Sequence, residues 1–166
     1  TRMAPTPRRT MLWVGAGGID EEVGLALQRS GVDELVVRRG TVDLGGGTPV
    51  VRMRPAPPLP TRLPVGLCVT LEGVGESVPP ELAESVWRGI DGDLGGDSPA
   101  ELIVDLPRVA VGIGAFLSRL SAVSGVPVVP LVMPEQVRDV EAVEVVRACG
   151  ACVVPVSGAL GTLRQG

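Results

Sequence analysis

The stretch Leu102–Met133, LIVDLPRVAVGIGAFLSRLSAVSGVPVVPLVM, decides the fold. Leu102 to Leu106 is an unbroken apolar run of strand length, interrupted only by the late Asp105. Ile113, Phe116, Leu117 and Leu120 then recur at i, i+3, i+4 and i+7, which paints one stripe on a helix. Gly125 supplies the left-handed residue that ends such a helix. Pro127 to Met133 is a second apolar run of strand length. Strand, helix and strand with short joints form the unit of a parallel sheet, whose strands read as continuous Val, Leu and Ile because both faces are covered.

The same alternation extends outward. Towards the C-terminus, Asp139 is placed to cap a helix on which Ala142, Val145, Val146 and Cys149 share a face, and Cys152 to Ser157 reads as the last strand. Before Leu102, Asp91 to Pro99 reads as a Gly/Asp-rich loop. It follows a helix opened by Ser77, Pro79 and Pro80, with Leu82, Val86 and Ile90 on its stripe. Val65 to Glu72 is a strand, and Pro55 to Pro64, with five prolines, is a stiff extended connector. Such a run crosses a surface as polyproline II, or docks a partner of the SH3 kind. Leu35 to Arg38 and Pro49 to Arg54 make a hairpin turned by Gly45, Gly46 and Gly47. Met11 to Ala16 is the first strand. A Gly17-Gly18 turn leads to a helix capped by Asp20, with Glu21 and Glu22 in its first turn and Val23, Ala26 and Leu27 on one face; Gly31 ends it. The order β-α-β-β-β-α-β-α-β-α-β predicts an α/β domain over 11–158, mainly a parallel sheet with helices on its faces. Residues 1–10 are a flexible lead-in and 159–166 a tail.

Composition narrows the chemistry. All 15 basic residues are arginine, and the chain has no Lys, His, Tyr or Asn. Without His there is no Ser-His-Asp or Cys-His pair and no two-histidine metal site. Without Lys there is no Schiff base and no ordinary P-loop. The net charge of −4 argues against a nucleic-acid or anionic-membrane surface. No apolar run approaches the roughly 18–20 residues of a membrane span. With 23 Gly and 16 Pro, the 45% hydrophobic fraction still argues for a packed fold with many turns rather than disorder. Abundant Ala, Gly, Val, Arg and Pro with no Lys or Asn suits a GC-rich bacterial genome. No cofactor is implied.

Ligands of parallel α/β sheets bind at the carboxyl ends of the strands. There the sequence places Glu72, Asp105 and, beyond Met133, Glu135. Paired carboxylates are what glycoside hydrolysis needs, so Asp105 and Glu72 are the candidate catalytic residues; the alternative for Asp105 is a cap on the helix after Pro107. Gly15, Gly17 and Gly18, between a strand and a helix, are candidate nucleotide-binding residues. Cys149 and Cys152 have C-x-x-C spacing but close a helix and enter a strand. That is the opposite end from a redox motif, so Cys68, Cys149 and Cys152 are expected as small core residues. Asp91 and Asp93 carry a D-x-D pattern without the later glutamate of a calcium loop.

Over Met11 to Gly158 the chain resembles an uncharacterised bacterial family of glycosidase-like TIM-barrel domains. The resemblance is carried by the LW-V opening strand, Gly31 to Val37 (GVDELVV), Leu44 to Val51 (LGGGTPVV), Leu63 to Leu67 (LPVGL), Leu102 to Pro107 (LIVDLP), Pro130-Leu131 and Cys152 to Gly158 (CVVPVSG). It implies a carbohydrate ligand, export or a periplasmic location, and an acidic residue at the fourth strand, where Asp105 stands. A full barrel takes about 250 residues, so 166 imply a partial or irregular TIM-like barrel whose open edges need covering, by a partner chain or a missing segment. The alternative fold is an open doubly wound sheet. Residues 12–44 also resemble the adenylating fold of ubiquitin-activating-like enzymes, through Val14 to Ile19 (VGAGGI) and Thr41 to Leu44 (TVDL). Asp20 replaces that family's last glycine, and Arg38-Arg39 replace its ribose-binding acids. Three functions follow as expectations: a glycosidase-like domain that binds or hydrolyses carbohydrate, a non-catalytic binding or scaffold domain, and a degenerate nucleotide-binding domain.

Overall fold

The structure is a computed structural model, and it describes residues 9–155. Its elements follow the predicted order: β1 (Met11–Val14), α1 (Glu21–Gln28), β2 (Glu34–Asp43), β3 (Val50–Met53), β4 (Val65–Glu72), α2 (Leu82–Leu94), β5 (Leu102–Asp105), α3 (Ile113–Ser124), β6 (Val128–Leu131), a 3-10 turn (Pro134–Arg138) and α4 (Val140–Cys149). Of the predicted last strand, Val153 makes a parallel bridge to Leu131, and residues 156 onward lie outside the described residues, as do residues 1–8 of the lead-in and the tail.

Five strands pair in parallel in the order β1-β2-β4-β5-β6, and β3 pairs antiparallel with β2. The ten-residue β2 is longer than β1. Its first half, Glu34 to Val37, pairs with β1, and its second half, Gly40 to Asp43, pairs with β3. Spatial order therefore follows chain order with β3 set aside. The reversal that creates the switch point of a doubly wound sheet is absent from this order. The winding is that of a barrel segment, but the sheet is not closed.

One sheet face carries Leu35, Val37, Leu67, Val69, Leu102, Val104 and Val128, all buried. The α3 stripe of Ile113, Phe116, Leu117 and Leu120 packs onto it as the periodicity requires, beside Ala83, Val86 and Ile90 of α2 and Val145 of α4. The opposite face holds a second apolar cluster of Val36, Cys68, Ile103, Val129 and Leu131. Among the described residues its other members are Met11, Trp13, Ala151 and Val153, with no side chain from a helix. No helix among the described residues is long and apolar enough to cross a membrane.

Two local expectations are corrected. Asp91 and Asp93 lie in α2, which runs to Leu94 before Gly95 turns it off in the left-handed region. Ile90 and Leu94 are both buried, and that anchoring carries the helix through the Gly/Asp-rich segment. At helical spacing, side chains two residues apart diverge, so this pair cannot chelate one ion. In α1 the buried residue is Gly24, while Val23 and Ala26 are exposed. The reason is the proline connector. The Ile19 N–H donates to the Pro58 carbonyl at 3.1 Å, and a Cβ on Gly24 would overlap the Pro60 carbonyl. The helix rides on the connector, and Leu27, Leu59 and Leu63 together cover Val14, Leu35 and Val37. Connector and helix are thus one structural piece.

Gly24→Ala sets two effects against each other. Alanine favours a helix by about 1 kcal/mol over glycine, but its Cβ would push the connector off α1. Overpacking of this kind costs about 1–3 kcal/mol, so the variant is expected to unfold at a lower temperature than the parent in a thermal melt.

Candidate functional site

The middle of β2 and the carboxyl ends of β4 and β5 bring together Arg38, Thr70 and Asp105 on the sheet face that carries no helix side chains. Register explains the meeting: Arg38 is opposite Cys68, Cys68 opposite Ile103, and Thr70 opposite Asp105. A bulge between Arg38 and Gly40 breaks the alternation of β2 once, and bulges of this kind re-aim side chains beside functional sites. The Arg38 guanidinium donates through Nη1 to Asp105 Oδ2 at 2.7 Å and to Thr70 Oγ1. It also lies over the Trp13 ring, 5.7 Å from the centroid, within cation–π range. Partial burial is the largest single influence and opposes its charge, but the hydrogen bond to Asp105 and the charges of Cys68 and Asp105 together outweigh it and hold its pKa above the ordinary arginine value. The pair is half open to water, so its direct contribution to stability is about 1 kcal/mol or less. Its effect is to fix where the guanidinium points.

A cleft of about 290 Å³ opens beside this group, lined by Arg38, Gly40, Thr41, Arg52, Met53, Arg54 and Thr70. Thr41 faces Arg52 across the β2–β3 pair. Strand alternation puts Arg52 and Arg54 on one side of the hairpin. Among the described residues neither makes an ion pair, whereas Arg38 has Asp105. Arg39, at the bulge, donates to the Arg54 carbonyl at 2.9 and 3.1 Å and ties the end of the hairpin to β2. The loops after β4 and β5 are joined as well: Val78 N–H donates to Val111 O at 2.8 Å and Val111 N–H to Glu76 O at 3.1 Å.

The sequence-predicted residues fare differently. Asp105 ends β5 and does not cap α3, whose N-cap is Gly112. Glu72 ends β4, exposed, on the same face as Thr70 by alternation and two residues beyond the one opposite Asp105. With about 3.3 Å rise per residue and 4.8 Å between strands, their Cα atoms are about 8 Å apart. Glu135 lies in the exposed 3-10 turn. In the glycine turn, Gly18 N–H donates to Gly15 O at 3.0 Å, and a Cβ on Gly18 would overlap the Pro58 carbonyl, while Gly17 has open space. At the start of α1 the Asp20 carboxylate accepts from Val23 N–H at 2.8 Å, with Glu21 and Glu22 beside it. The Asp20 carboxylate thus occupies an N–H group at the helix start, the kind of donor a phosphate there would use. Among the described residues no cluster of three or more His, Cys, Asp or Glu is arranged to hold a metal ion.

Arg38, Arg52, Arg54, Thr70 and Trp13 were not singled out as site residues from the sequence. A partial signal existed: VVRRG and VVRMR flank one glycine turn, so hairpin pairing sets the two arginine segments side by side. The bulge that puts Arg38 on the face of Arg52 leaves no mark in the sequence. No protein-family model, no curated protein and no solved structure matches the chain.

The three cysteines are free. Cys68 and Cys149 pack as the apolar reading expects, whereas Cys152 is exposed because it follows the Gly150 turn at the end of α4. Burial pushes the Cys68 thiol up to about 12 and the Cys149 thiol up to about 11, and it raises Cys152 too. Thiolate is the reactive form. Timed alkylation read by mass spectrometry is therefore expected to label Cys152 first, Cys149 slowly, and Cys68 only after unfolding.

Proposed function

We propose that the domain binds a small anionic ligand, a carboxylate- or phosphate-bearing sugar, at the carboxyl ends of its parallel strands, and does so without hydrolysing it. The observation that carries this reading is the cleft lined by Arg38, Arg52 and Arg54, two of whose guanidinium groups have no acidic partner among the described residues. Such a concentration of cations in a chain of net charge −4 is local, not a product of overall charge. Arginine presents planar forks of N–H donors that match carboxylate and phosphate oxygens. Asp105 and Thr70 both engage Arg38 through Nη1, which leaves its other N–H groups to meet a ligand. The Thr41 and Thr70 hydroxyls add neutral donors and acceptors suited to sugar hydroxyls. The cleft volume suits a monosaccharide-sized ligand, and the carbohydrate part of the proposal draws on the family resemblance.

One observation favours a second reading, glycoside hydrolysis by Asp105 and Glu72. They sit on one face of adjacent strands with Cα atoms about 8 Å apart, within reach of one bond for a pair of acids of the kind glycoside hydrolysis uses. Against it, an exposed glutamate and an aspartate fixed to arginine lack the apolar surroundings that keep a general acid protonated. Asp105→Asn and Glu72→Gln, assayed on aryl glycosides, separate the two readings: hydrolysis lost in both variants would establish it.

Titration calorimetry with glucuronate, glucose 6-phosphate and glucose tests the binding. The anionic sugars are expected to bind and glucose not to. A charge-assisted hydrogen bond contributes about 1.5–3 kcal/mol, so Arg52→Ala with Arg54→Ala should weaken binding at least about tenfold. Equal affinity for glucose, or binding untouched by the double substitution, overturns the reading.

A further inference from the structure

At the opposite end of the same sheet face, Glu34 and Glu101 are 1% and 2% exposed, the two buried acids among the described core residues. Glu34 opens β2, Glu101 precedes β5, and Gly66 of β4 lies between them. A Cβ on Gly66 would overlap Glu34 Oε1 and come within 3.5 Å of Glu101 Cγ, so this glycine makes room for the acids. Among the described residues a single cation reaches them. Arg9 donates from Nη1 to Glu34 Oε2 at 3.3 Å and from Nη2 to Glu101 Oε2 at 3.0 Å. Oε1 of both glutamates is buried with no hydrogen-bond partner among the described residues.

Two buried carboxylates against one half-exposed arginine leave an excess negative charge, which the interior does not tolerate; a proton held by the pair removes it. We propose that Glu34 and Glu101 form a proton-operated stability switch at the foot of the sheet. With one proton held by the pair, its remaining charge balances that of Arg9; loss of that proton leaves two buried carboxylates facing each other beside Gly66 and weakens the fold. The other groups nearby do not take over this role. Asp33 accepts from Thr10 N–H at 2.7 Å and holds the residue after Arg9. A cavity of about 490 Å³ borders Arg9 and Glu101 but not Glu34. Cys149 of α4 and Ser121 of α3 also line it, and the Cys149 thiol, pushed up to about 11, stays neutral.

The direction of the pH dependence follows. Burial, then the charge of Glu101, raises Glu34 from 4.5 to about 7. The folded value lies above the unfolded one, so protonation favours the fold. The contribution is complete below 4.5 and is lost as pH rises through 7. A shift of that size changes the folding constant by up to about 300-fold across the window. The chain has no histidine, so no other side chain of ordinary pKa titrates between pH 5.5 and 8.

Urea denaturation of the whole chain at pH 5 and pH 8 tests the proton. The midpoint is expected to fall from pH 5 to pH 8, and Glu34→Gln, which mimics the protonated acid, to remove the fall. A flat or rising midpoint, or a Glu34→Gln chain that retains the fall, overturns it. A measurement that needs no variant is a carbon NMR titration of the glutamate carboxyls. One carboxyl titrating near 7 supports the switch, and all titrating below 5 overturn it.

Discussion

The pairing of β2 with β4 runs from Leu35 to Asp43 and is broken once, between Arg38 and Gly40. That break sets the phase of everything around it. Strict alternation from Leu35 and Val37 would turn every even-numbered residue of β2 away from the helices. With one extra residue the parity resets, and Val42 joins the helix-side core while Thr41 turns to the other face with Arg38. A one-residue change of register moves a whole row of side chains across a sheet. Here it happens within a strand. It buries valine at both ends of β2 and places an arginine and a threonine on one side of its middle. The hairpin depends on the same break, since β3 pairs with the half of β2 that follows it.

The sheet face away from the helices is arranged as an apolar middle between two polar ends. Val36, Cys68, Ile103 and Val129 fill the middle. A buried polar row costs several kcal/mol unless it is paired, and each end places one arginine against its acids. At the carboxyl end Asp105 and Thr70 hold Arg38 where water still reaches it. At the amino end Glu34 and Glu101 share Arg9 where water does not reach the carboxylates. The two ends therefore differ in kind. The first is a charge fixed in direction and open to the outside; the second is a charge imbalance inside.

What the sequence revealed follows from the range of the interactions concerned. The α3 stripe and the bounds of β4 were legible because helical period, apolar runs and glycine stops are local signals. The burial of α1 was not, because it depends on Gly24 meeting Pro60 across more than thirty residues of chain. The C-terminal end of α2 was misread because its glycines suggest a turn, while Ile90 and Leu94 hold the helix through tertiary contact. Asp105 was legible as a strand end, but its partner was not: the face that Arg38 takes depends on register, which a single strand does not encode. Glu34 and Glu101 carry nothing in the sequence that sets them apart from other acids at the start of a strand. Only the neighbouring strand, which presents glycine at Gly66, makes a place for them inside.

The residue types at the two ends bear on pH in opposite ways. Arginine remains charged at any pH at which the protein folds, and the cleft is lined by arginine with neutral hydroxyls, so its affinity for a fully ionised anion has no reason to change between pH 5 and 8. The amino end has carboxyls in a place that penalises charge, and its energetics change in that window. A chain with no histidine and no lysine lacks the usual means of adjusting charge near neutrality. Burying a carboxyl pair restores such a response with the residue types available, because burial moves an acid towards neutral pH from below. The apolar middle of Val36, Cys68 and Ile103 separates the two ends. Sensitivity at the foot of the sheet is thereby compatible with a constant charge at the mouth.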